Sequence, residues 1–226
     1  MGEAAVKGAR APRRTTPRKP LQARGRARYE AILDVLEALL AQTDWDQIGY
    51  YQIVERAGMP AASIYHFFPT KGALFMALAE RYFEHFRAAS QASSQNAAYA
   101  RWQDLLAARQ TAAVEYYNSH RAAMKLILGS PPFLEIHWSD ANANRVISQQ
   151  LFDAFRRLYE LPYVQAPQRK FLLAVSIGDA VWRTSFDEHG YITPEYEAEA
   201  KRAVIAFFRT FLPEELAPRQ EAEAAA

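Results

Sequence analysis

The chain has 226 residues, of which half are hydrophobic and 23% are charged, a composition typical of globular proteins. It contains no cysteine, which excludes disulfides, thiolate catalysis and cysteine-ligated zinc and fits a reducing compartment. No uncharged run reaches the ~18 apolar residues of a membrane span, and no apolar segment follows the basic N-terminus. We therefore expect a cytoplasmic protein that does not enter a membrane.

Positive charge is concentrated at the N-terminus. Residues 1–28 carry nine basic side chains against Glu3, a local net charge of +8, whereas the remaining residues carry 18 basic and 24 acidic side chains, a net charge of −6. Residues 1–23 also contain three prolines and no periodic apolar pattern, which predicts a disordered basic arm. A basic arm on an acidic body is typical of nucleic-acid binding, although a solvated leader that only aids solubility has the same composition.

Two helices are predicted at the start of the folded chain. Apolar residues at three- and four-residue spacing predict a first helix from Arg26 to about Gln42. Residues 50–56 predict a short second helix. Gly58 follows it and supplies the positive φ that commonly closes a helix at its C-terminus.

A third and a fourth helix follow this glycine. Pro60 is expected at the first position of the third helix, because its missing N–H would be unpaired there anyway. The third helix runs to about Phe67, and Pro69 ends it. Thr70 is predicted to be the N-cap of a long fourth helix from Lys71 to about Ala89.

The rest of the chain also has a helical pattern. Residues 88–100 are uncharged and rich in Ser, Gln, Asn and Ala, which predicts a loop between helices. Thr193 and Pro194 form a start signal, with Thr as the N-cap and Pro at the first helical position. No stretch shows the sustained alternation of a strand, so the predicted fold class is all-α. The further helices are predicted at about 101–118, 120–129, 140–160, 167–188 and 194–212.

One block of the sequence carries a family pattern. It is the stretch AGMPAASIYHFFPTKGAL, residues 57–74, preceded by an aromatic-to-aliphatic segment at Trp45 to Ile48. This block resembles the helix-turn-helix DNA-binding domain of the tetracycline-repressor (TetR) family, and the resemblance covers about residues 26–76. Four positions depart from the family pattern, and they put the family's usual hydrogen bonds in doubt there: Gly49, Val54, Pro60 and Gly72.

The resemblance implies a domain order for the whole chain. We expect a disordered basic arm, a helix-turn-helix domain whose linking helix continues to about residue 89, a ligand-binding and dimerisation domain, and a disordered tail. Their expected bounds are 1–23, 24–76, 77–213 and 214–226.

The predicted DNA-reading segment is unusual because residues 57–70 include no formally charged side chain. A helix-turn-helix inserts the start of its second helix into the major groove. We interpret the neutral segment as a division of labour, in which Ala61 and Ala62 approach base edges while surrounding groups contact phosphates. Tyr65 has an alternative interpretation as a core aromatic. The predicted DNA-binding residues are Arg24, Arg26, Arg28, Tyr50, Ala61, Ala62, Ser63, Tyr65, His66, Phe67, Thr70 and Lys71.

The resemblance also implies a homodimer that binds double-stranded DNA at a palindromic operator with two half-sites. Members of the family dimerise through their last two long helices. Each expected interface residue has an alternative interpretation as a position in the protomer core. The expected interface residues are Ile177, Val181, Val204, Phe207, Phe208 and Phe211.

Between these regions, aromatic residues and a methionine recur at helical spacing, and they form either an ordinary core or the lining of an apolar effector pocket. Asp179, midway along an apolar helix, either pairs with Arg183 one turn later or orients a ligand. The resemblance implies a repressor that a small, largely apolar effector releases from DNA by shifting the fourth helix. The candidate ligand-binding residues are Trp102, Tyr117, Met124, Phe133, His137, Trp138, Phe155, Phe171, Asp179 and Trp182.

Catalysis finds no support in the sequence. The five histidines show no metal-ligand spacing, and neither a glycine-rich phosphate loop nor a nucleophile elbow occurs. We expect no enzyme activity, no metal and no cofactor. The alternatives that remain are a helical protein-interaction module without DNA binding and a transcriptional activator of the same fold.

Overall fold

The computed structural model describes residues 16–95, 99–129 and 134–219, and these residues form helices joined by short connections. No strand occurs among them, so the all-α prediction is confirmed. None of the described helices is both long enough and apolar enough to cross a membrane. The helices are α1 (Ala23–Gln42), α2 (Tyr50–Ala57), α3 (Ala61–Phe67), α4 (Lys71–Gln95), α5 (Trp102–Ser119), α6 (Arg121–Ile127), α7 (Leu134–Leu158), α8 (Pro167–His189) and α9 (Pro194–Arg209).

Local signals in the sequence placed several helix ends correctly. Gly58 ends α2 with φ of 59°, a left-handed conformation that favours glycine. The hydroxyl oxygen of Thr70 accepts from the N–H of Ala73 at 3.0 Å and caps α4. Thr193 caps α9 in the same way, by accepting from the N–H of Tyr196 at 3.3 Å. These are side-chain caps that satisfy otherwise unpaired backbone donors.

Other boundaries differ from the prediction. Helix α4 continues to Gln95 through the segment predicted to be a loop, because residues 88–95 contain no glycine or proline to end it. Helix α7 begins six residues earlier than predicted, at Leu134. Pro60 lies one position before α3, at its N-cap, rather than inside the helix.

The two ends of the chain are only partly described. Most of the predicted basic arm, residues 1–15, and the end of the predicted tail, residues 220–226, lie outside the described residues. Residues 214–219 pack back on the protein: Glu160 donates its N–H to the carbonyl of Ala217 at 2.9 Å, and Leu216 is buried.

Two hydrophobic cores hold the helices together. The first core begins in the three-helix head, where α1 contributes Ile32 and Leu36, and continues through α4, α5 and α6 to Trp182 on α8. The second core lies at the far end of α5, α7, α8 and α9 and is rich in aromatic rings. There, Phe171 meets Phe208 edge-on at 5.0 Å between ring centroids, the geometry that aromatic pairs prefer.

A charged junction joins α1 to α4. The guanidinium of Arg81 on α4 donates to Asp34 at 2.7 Å and to Glu37 at 2.5 Å, and Glu30 lies 3.4 Å away. The hydroxyl of Tyr82 donates to the other carboxylate oxygen of Glu37 at 2.8 Å. Arg81 therefore pairs with three acids on one face of α1 and ties the two helices together.

We expect Arg81→Met to lower the free energy of unfolding by about 1–2 kcal/mol, because it leaves three carboxylates close together without their cation. Chemical denaturation measures this change. Arg87→Met is the control, since Arg87 makes a single 3.8 Å contact with Glu84 on its own helix, and it is expected to change stability by less than about 0.5 kcal/mol. Equal effects of the two substitutions would contradict the role given to the junction.

Candidate functional site

Helix α3 presents a small, neutral surface to solvent. Ala61, Ala62, Tyr65 and His66 are exposed and Ser63 is half-buried. The remaining predicted DNA-binding residue of this helix, Phe67, is 8% exposed and packs in the head core, with its ring edge against Tyr29 at 5.9 Å. All seven residues of α3 belong to the predicted neutral segment, and two alanines form the start of the helix.

Two stacked tyrosines join α2 to α3. The rings of Tyr50 and Tyr65 lie 4.7 Å apart with 16° between their planes. The hydroxyl of Tyr50 donates to the carbonyl of Phe68 at 2.7 Å. This bond holds the half-buried Tyr50 within the domain, and Tyr50 in turn supports Tyr65, which is 47% exposed. Tyr51, the second residue of α2, is 78% exposed and was not among the predicted DNA-binding residues.

The basic groups lie around α3 rather than on it. Arg24, Arg26 and Arg28 are exposed in the first two turns of α1. The Nζ atom of Lys71 lies 5.8 Å from the ring centres of both Trp45 and Phe75, and burial lowers its pKa. Thr70 and Lys71 thus lie at the start of α4, where the unpaired backbone N–H groups of a helix favour anions.

The chain before α1 is attached to the head. Arg18 donates its backbone N–H to the carbonyl of Phe67 at the end of α3 at 2.8 Å. Lys19 forms ion pairs with Glu80 at 3.0 Å and Glu84 at 3.5 Å. Burial alone would lower the pKa of Lys19, but the hydrogen bonds and charges of these acids raise it. The positive charge of Lys19 is therefore used within the protein.

A cavity of about 130 Å³ lies between α4, α5, α7, α8 and α9. Most of its wall is apolar or aromatic, including Phe83 and Phe86 from α4. Its lining residues are Phe83, Phe86, Ala89, Leu106, Arg109, Gln110, Ala112, Ala113, Tyr116, Tyr117, Asp140, Asn144, Ile147, Leu151, Ala174, Val175, Gly178, Asp179, Trp182 and Val204.

The cavity brings together only part of the predicted ligand set. Tyr117, Asp179 and Trp182 line it. Trp102, Phe155 and Phe171 lie instead in the second core, and Met124 lies in the first core on α6. Phe133 and the side chains of His137 and Trp138 lie outside the described part of the structure.

Most of the polar residues in the cavity wall were not predicted from the sequence. Gln110 and Trp182 are 8% and 6% exposed, and neither the amide of Gln110 nor the indole N–H of Trp182 has a hydrogen-bond partner among the described residues. A signal for Gln110 was present, because it occupies an apolar position of α5, four residues after Leu106 and four before Val114.

Asp179 bonds to a neighbouring helix rather than to Arg183, the pairing favoured by the sequence. Its Oδ2 accepts from the side-chain amide of Asn144 on α7 at 2.8 Å, and Arg183 donates to the carbonyl of Leu128 at 3.1 Å. Burial raises the pKa of Asp179 to about 7, and the charge of Asp140 adds to this, while the Asn144 bond and Arg183 partly oppose it. Burial also lowers the pKa of Arg109 to about 10.

A raised carboxyl pKa makes the folded state hold a proton that the unfolded state releases. The stability supplied by neutral Asp179 should therefore fall as pH rises from about 4 to 7 and level off above pH 7. We expect Asp179→Asn, which keeps an acceptor for Asn144, to remove this slope and to stabilise the protein at pH 8 by roughly 2–4 kcal/mol.

Denaturant titrations at a series of pH values measure this effect. Asp153→Asn, which changes an exposed carboxyl on α7, is the matched control and should keep the wild-type pH profile. An Asp179→Asn profile parallel to that of the wild type would show that Asp179 is ionised throughout.

Comparison with known proteins agrees with the geometry of the head and of the whole chain. Residues 32–78 match the family model of bacterial regulatory proteins of the tetR family. A search of curated proteins gives no match.

Several solved structures have the same fold. A TetR-family transcriptional regulator from Streptomyces coelicolor has a TM-score of 0.66 at 20% identity, covering 82% of this chain and 99% of that one. Salmonella enterica GusR has a TM-score of 0.63 at 15% identity, with 84% and 98% covered. SmeT, the repressor of the Stenotrophomonas maltophilia multidrug efflux pump SmeDEF, has a TM-score of 0.62 at 17% identity, with 82% and 91% covered.

The family model covers the helix-turn-helix, with α1 from Ile32 onward, α2, α3 and the first turns of α4, and the structural likeness extends over 82% of the chain. The family consists of transcription regulators rather than enzymes. Residues 32–78 therefore match the model of the tetR family of bacterial regulatory proteins, and the chain has the fold of solved TetR-family regulators.

Proposed function

We propose that this DNA-binding regulator is a homodimeric repressor that a small, largely apolar molecule releases from its operator. One observation carries the proposal: α4 is part of both sites. Its N-terminal end follows α3 directly, and its C-terminal half supplies Phe83 and Phe86 to the cavity. SmeT, which shares the fold, is a repressor, and this likeness supports the repressor role.

On DNA, α3 enters the major groove with its N-terminal turn. Ala61 and Ala62 come close to base edges, where an alanine methyl suits the methyl group of thymine. Tyr65, held by its stacking on Tyr50, extends towards the phosphate backbone. Arg24, Arg26 and Arg28 provide positive charge beside the groove, and such phosphate contacts give affinity without sequence preference.

The dimer forms through α8 and α9. Leu173 on α8 is 43% exposed, and Ile177, Val181, Phe207 and Phe211 are half-buried. These side chains form an incompletely covered apolar face on the two helices, the kind of surface that marks an interaction site.

Two of the expected interface residues contribute differently. Val204 and Phe208 are 5% and 0% exposed within the protomer, so they support the face from beneath. Ser176 and Ala180 are exposed on α8, and their small side chains let a second helix approach closely.

Effector binding changes the affinity for DNA through α4. A molecule between α4, α5, α7 and α8 presses on Phe83 and Phe86 and moves the C-terminal half of α4. Because Arg81 fastens α4 to α1, the movement rotates the head. The two α3 helices of the dimer then no longer match the spacing of two half-sites, and affinity falls.

We expect Ala62→Asp to weaken binding to selected DNA by roughly 100-fold or more, because it places a carboxylate where the groove brings phosphates close. Fluorescence anisotropy on DNA selected from a random library measures the loss. Ala38→Asp, at an exposed position of α1, is the control and should change affinity by less than about threefold.

Deletion of residues 1–23 should behave differently from Ala62→Asp. It should weaken binding to every sequence and reduce the dependence of affinity on salt, because fewer phosphates are contacted. If Ala62→Asp and the deletion lower specific and non-specific binding by the same factors, the proposed division of labour is wrong.

We expect Leu173→Asp to convert the dimer to a folded monomer and to abolish high-affinity operator binding, because it places a charge in the apolar face. Sedimentation equilibrium gives the mass and circular dichroism the helix content. Tyr163→Asp, which changes a 92% exposed residue before α8, is the control and should leave the dimer mass in place. A wild-type protein that sediments as a monomer at micromolar concentration would contradict the dimer.

A further inference from the structure

Two neutral polar side chains in the cavity wall have no hydrogen-bond partner among the described residues, and they indicate the chemistry of a ligand. Gln110 is more than nine-tenths buried, yet neither its amide N–H group nor its carbonyl oxygen has a partner among the described residues. The indole N–H of Trp182 is also buried and has no partner among the described residues. Buried polar groups are normally hydrogen-bonded, because an unmade bond destabilises the folded state.

Gly178 on α8 lies beside the amide oxygen of Gln110 and the benzene ring of Trp182. A Cβ atom added to Gly178 would lie 3.9 Å from Oε1 of Gln110, 4.0 Å from Cη2 of Trp182 and 3.8 Å from Cγ2 of Val204. All three are ordinary van der Waals distances, so packing does not require a glycine here. Glycine within a helix is less stable than alanine, and what it leaves at this point is room for a methyl group beside the amide oxygen of Gln110.

The size of the cavity restricts the ligand to about one ring. Its volume of about 130 Å³ is close to the ~150 Å³ of an apolar cavity that admits benzene. Phe83, Phe86 and Tyr116 supply aromatic wall from α4 and α5, and Ile147 and Leu151 supply aliphatic wall from α7. A flat aromatic molecule makes the most contact with such a wall.

The charged groups of the wall already interact with the protein. Asp179 accepts from Asn144, and Arg109 and Asp140 both have interactions of their own. Within the described part of the wall, the neutral amide of Gln110 and the neutral indole N–H of Trp182 have no partner. A ligand that complements them carries a group that both donates and accepts, and it needs no charge.

We propose that the cavity binds a neutral, single-ring aromatic molecule with one hydroxyl group, a phenol, whose hydroxyl donates to the Gln110 carbonyl oxygen and accepts from the Trp182 indole N–H. The inference rests on the proposed function for the role of the cavity. Its test uses binding in the absence of DNA, so the two can fail separately.

Isothermal titration calorimetry of the full chain with phenol and with toluene tests this chemistry. The two molecules have nearly the same shape, but toluene has a methyl group in place of the hydroxyl. We expect phenol to bind about tenfold more tightly or better, the effect of one to two buried hydrogen bonds. Equal affinities, or no binding of either compound because ordered water satisfies Gln110, would overturn the proposal.

Two substitutions test which side chains give the preference for phenol over toluene. Gln110→Leu should reduce the phenol-to-toluene ratio to within about twofold while the melting temperature stays the same or rises, because a buried amide without partners is replaced by an apolar side chain of similar size. Trp182→Phe should reduce the ratio partially and serves as the second variant if Gln110→Leu does not fold. A wild-type ratio in both variants would place phenol elsewhere.

Gly178→Ala separates binding from stability. The added methyl group fills the space beside Gln110 and should weaken binding of both compounds about tenfold or more, while the melting temperature rises with the better helix former. Unchanged phenol affinity in Gly178→Ala would overturn the proposed position of the ring. If phenol binds as described but leaves DNA affinity unchanged, the ligand response in the proposed function fails and the inferred ligand chemistry stands.

Discussion

Helix α4 is shared by the DNA-binding head and the cavity, and the rest of the structure depends on this sharing. Its first turn follows α3 after a short connection, Arg81 fastens its middle to three acids of α1, and Phe83 and Phe86 line the cavity. The first core runs without a break from Ile32 in the head to Trp182 on α8. Because close-packed cores transmit small shifts rather than absorb them, we expect a change at the cavity to reach the head through this helix.

In the proposed function, the head separates sequence reading from electrostatics. The projecting start of α3 consists of two alanines, which permit close approach to DNA but give no long-range attraction. The arginines at the start of α1 provide that attraction, while Lys19 is held by Glu80 and Glu84. Tyr65, which stacks on Tyr50, adds an exposed aromatic group to α3. A neutral reading helix is therefore compatible with DNA binding when the charge lies beside it.

The sequence predicted the features that depend on neighbouring residues. The closure of α2 at Gly58 and the caps at Thr70 and Thr193 follow from local backbone chemistry. Features that depend on tertiary contacts were not predictable in this way. Aromatic residues at helical spacing look alike whether they fill a core, as Phe155 does, or line a cavity, as Trp182 does.

The polar contacts of the cavity also depend on tertiary packing and could not be predicted from neighbouring residues. The partner of Asp179 is Asn144, 35 residues away, whereas the sequence favoured Arg183 one turn along the same helix. Gln110 was recognisable only as an amide at an apolar position of α5. Its significance depends on the absence of any partner among the described residues, which requires the packed structure.

The coupling between the cavity and the DNA is the central claim, and one measurement tests it most directly. DNA affinity is determined by fluorescence anisotropy, with and without a saturating concentration of phenol or of another compound shown by calorimetry to occupy the cavity, for the wild type and for Arg81→Met. The account predicts that the compound weakens DNA binding of the wild type by about tenfold or more, within the usual range of coupling between two sites, and that Arg81→Met reduces this factor. A compound that fills the cavity and leaves the DNA affinity of the wild type unchanged would contradict it.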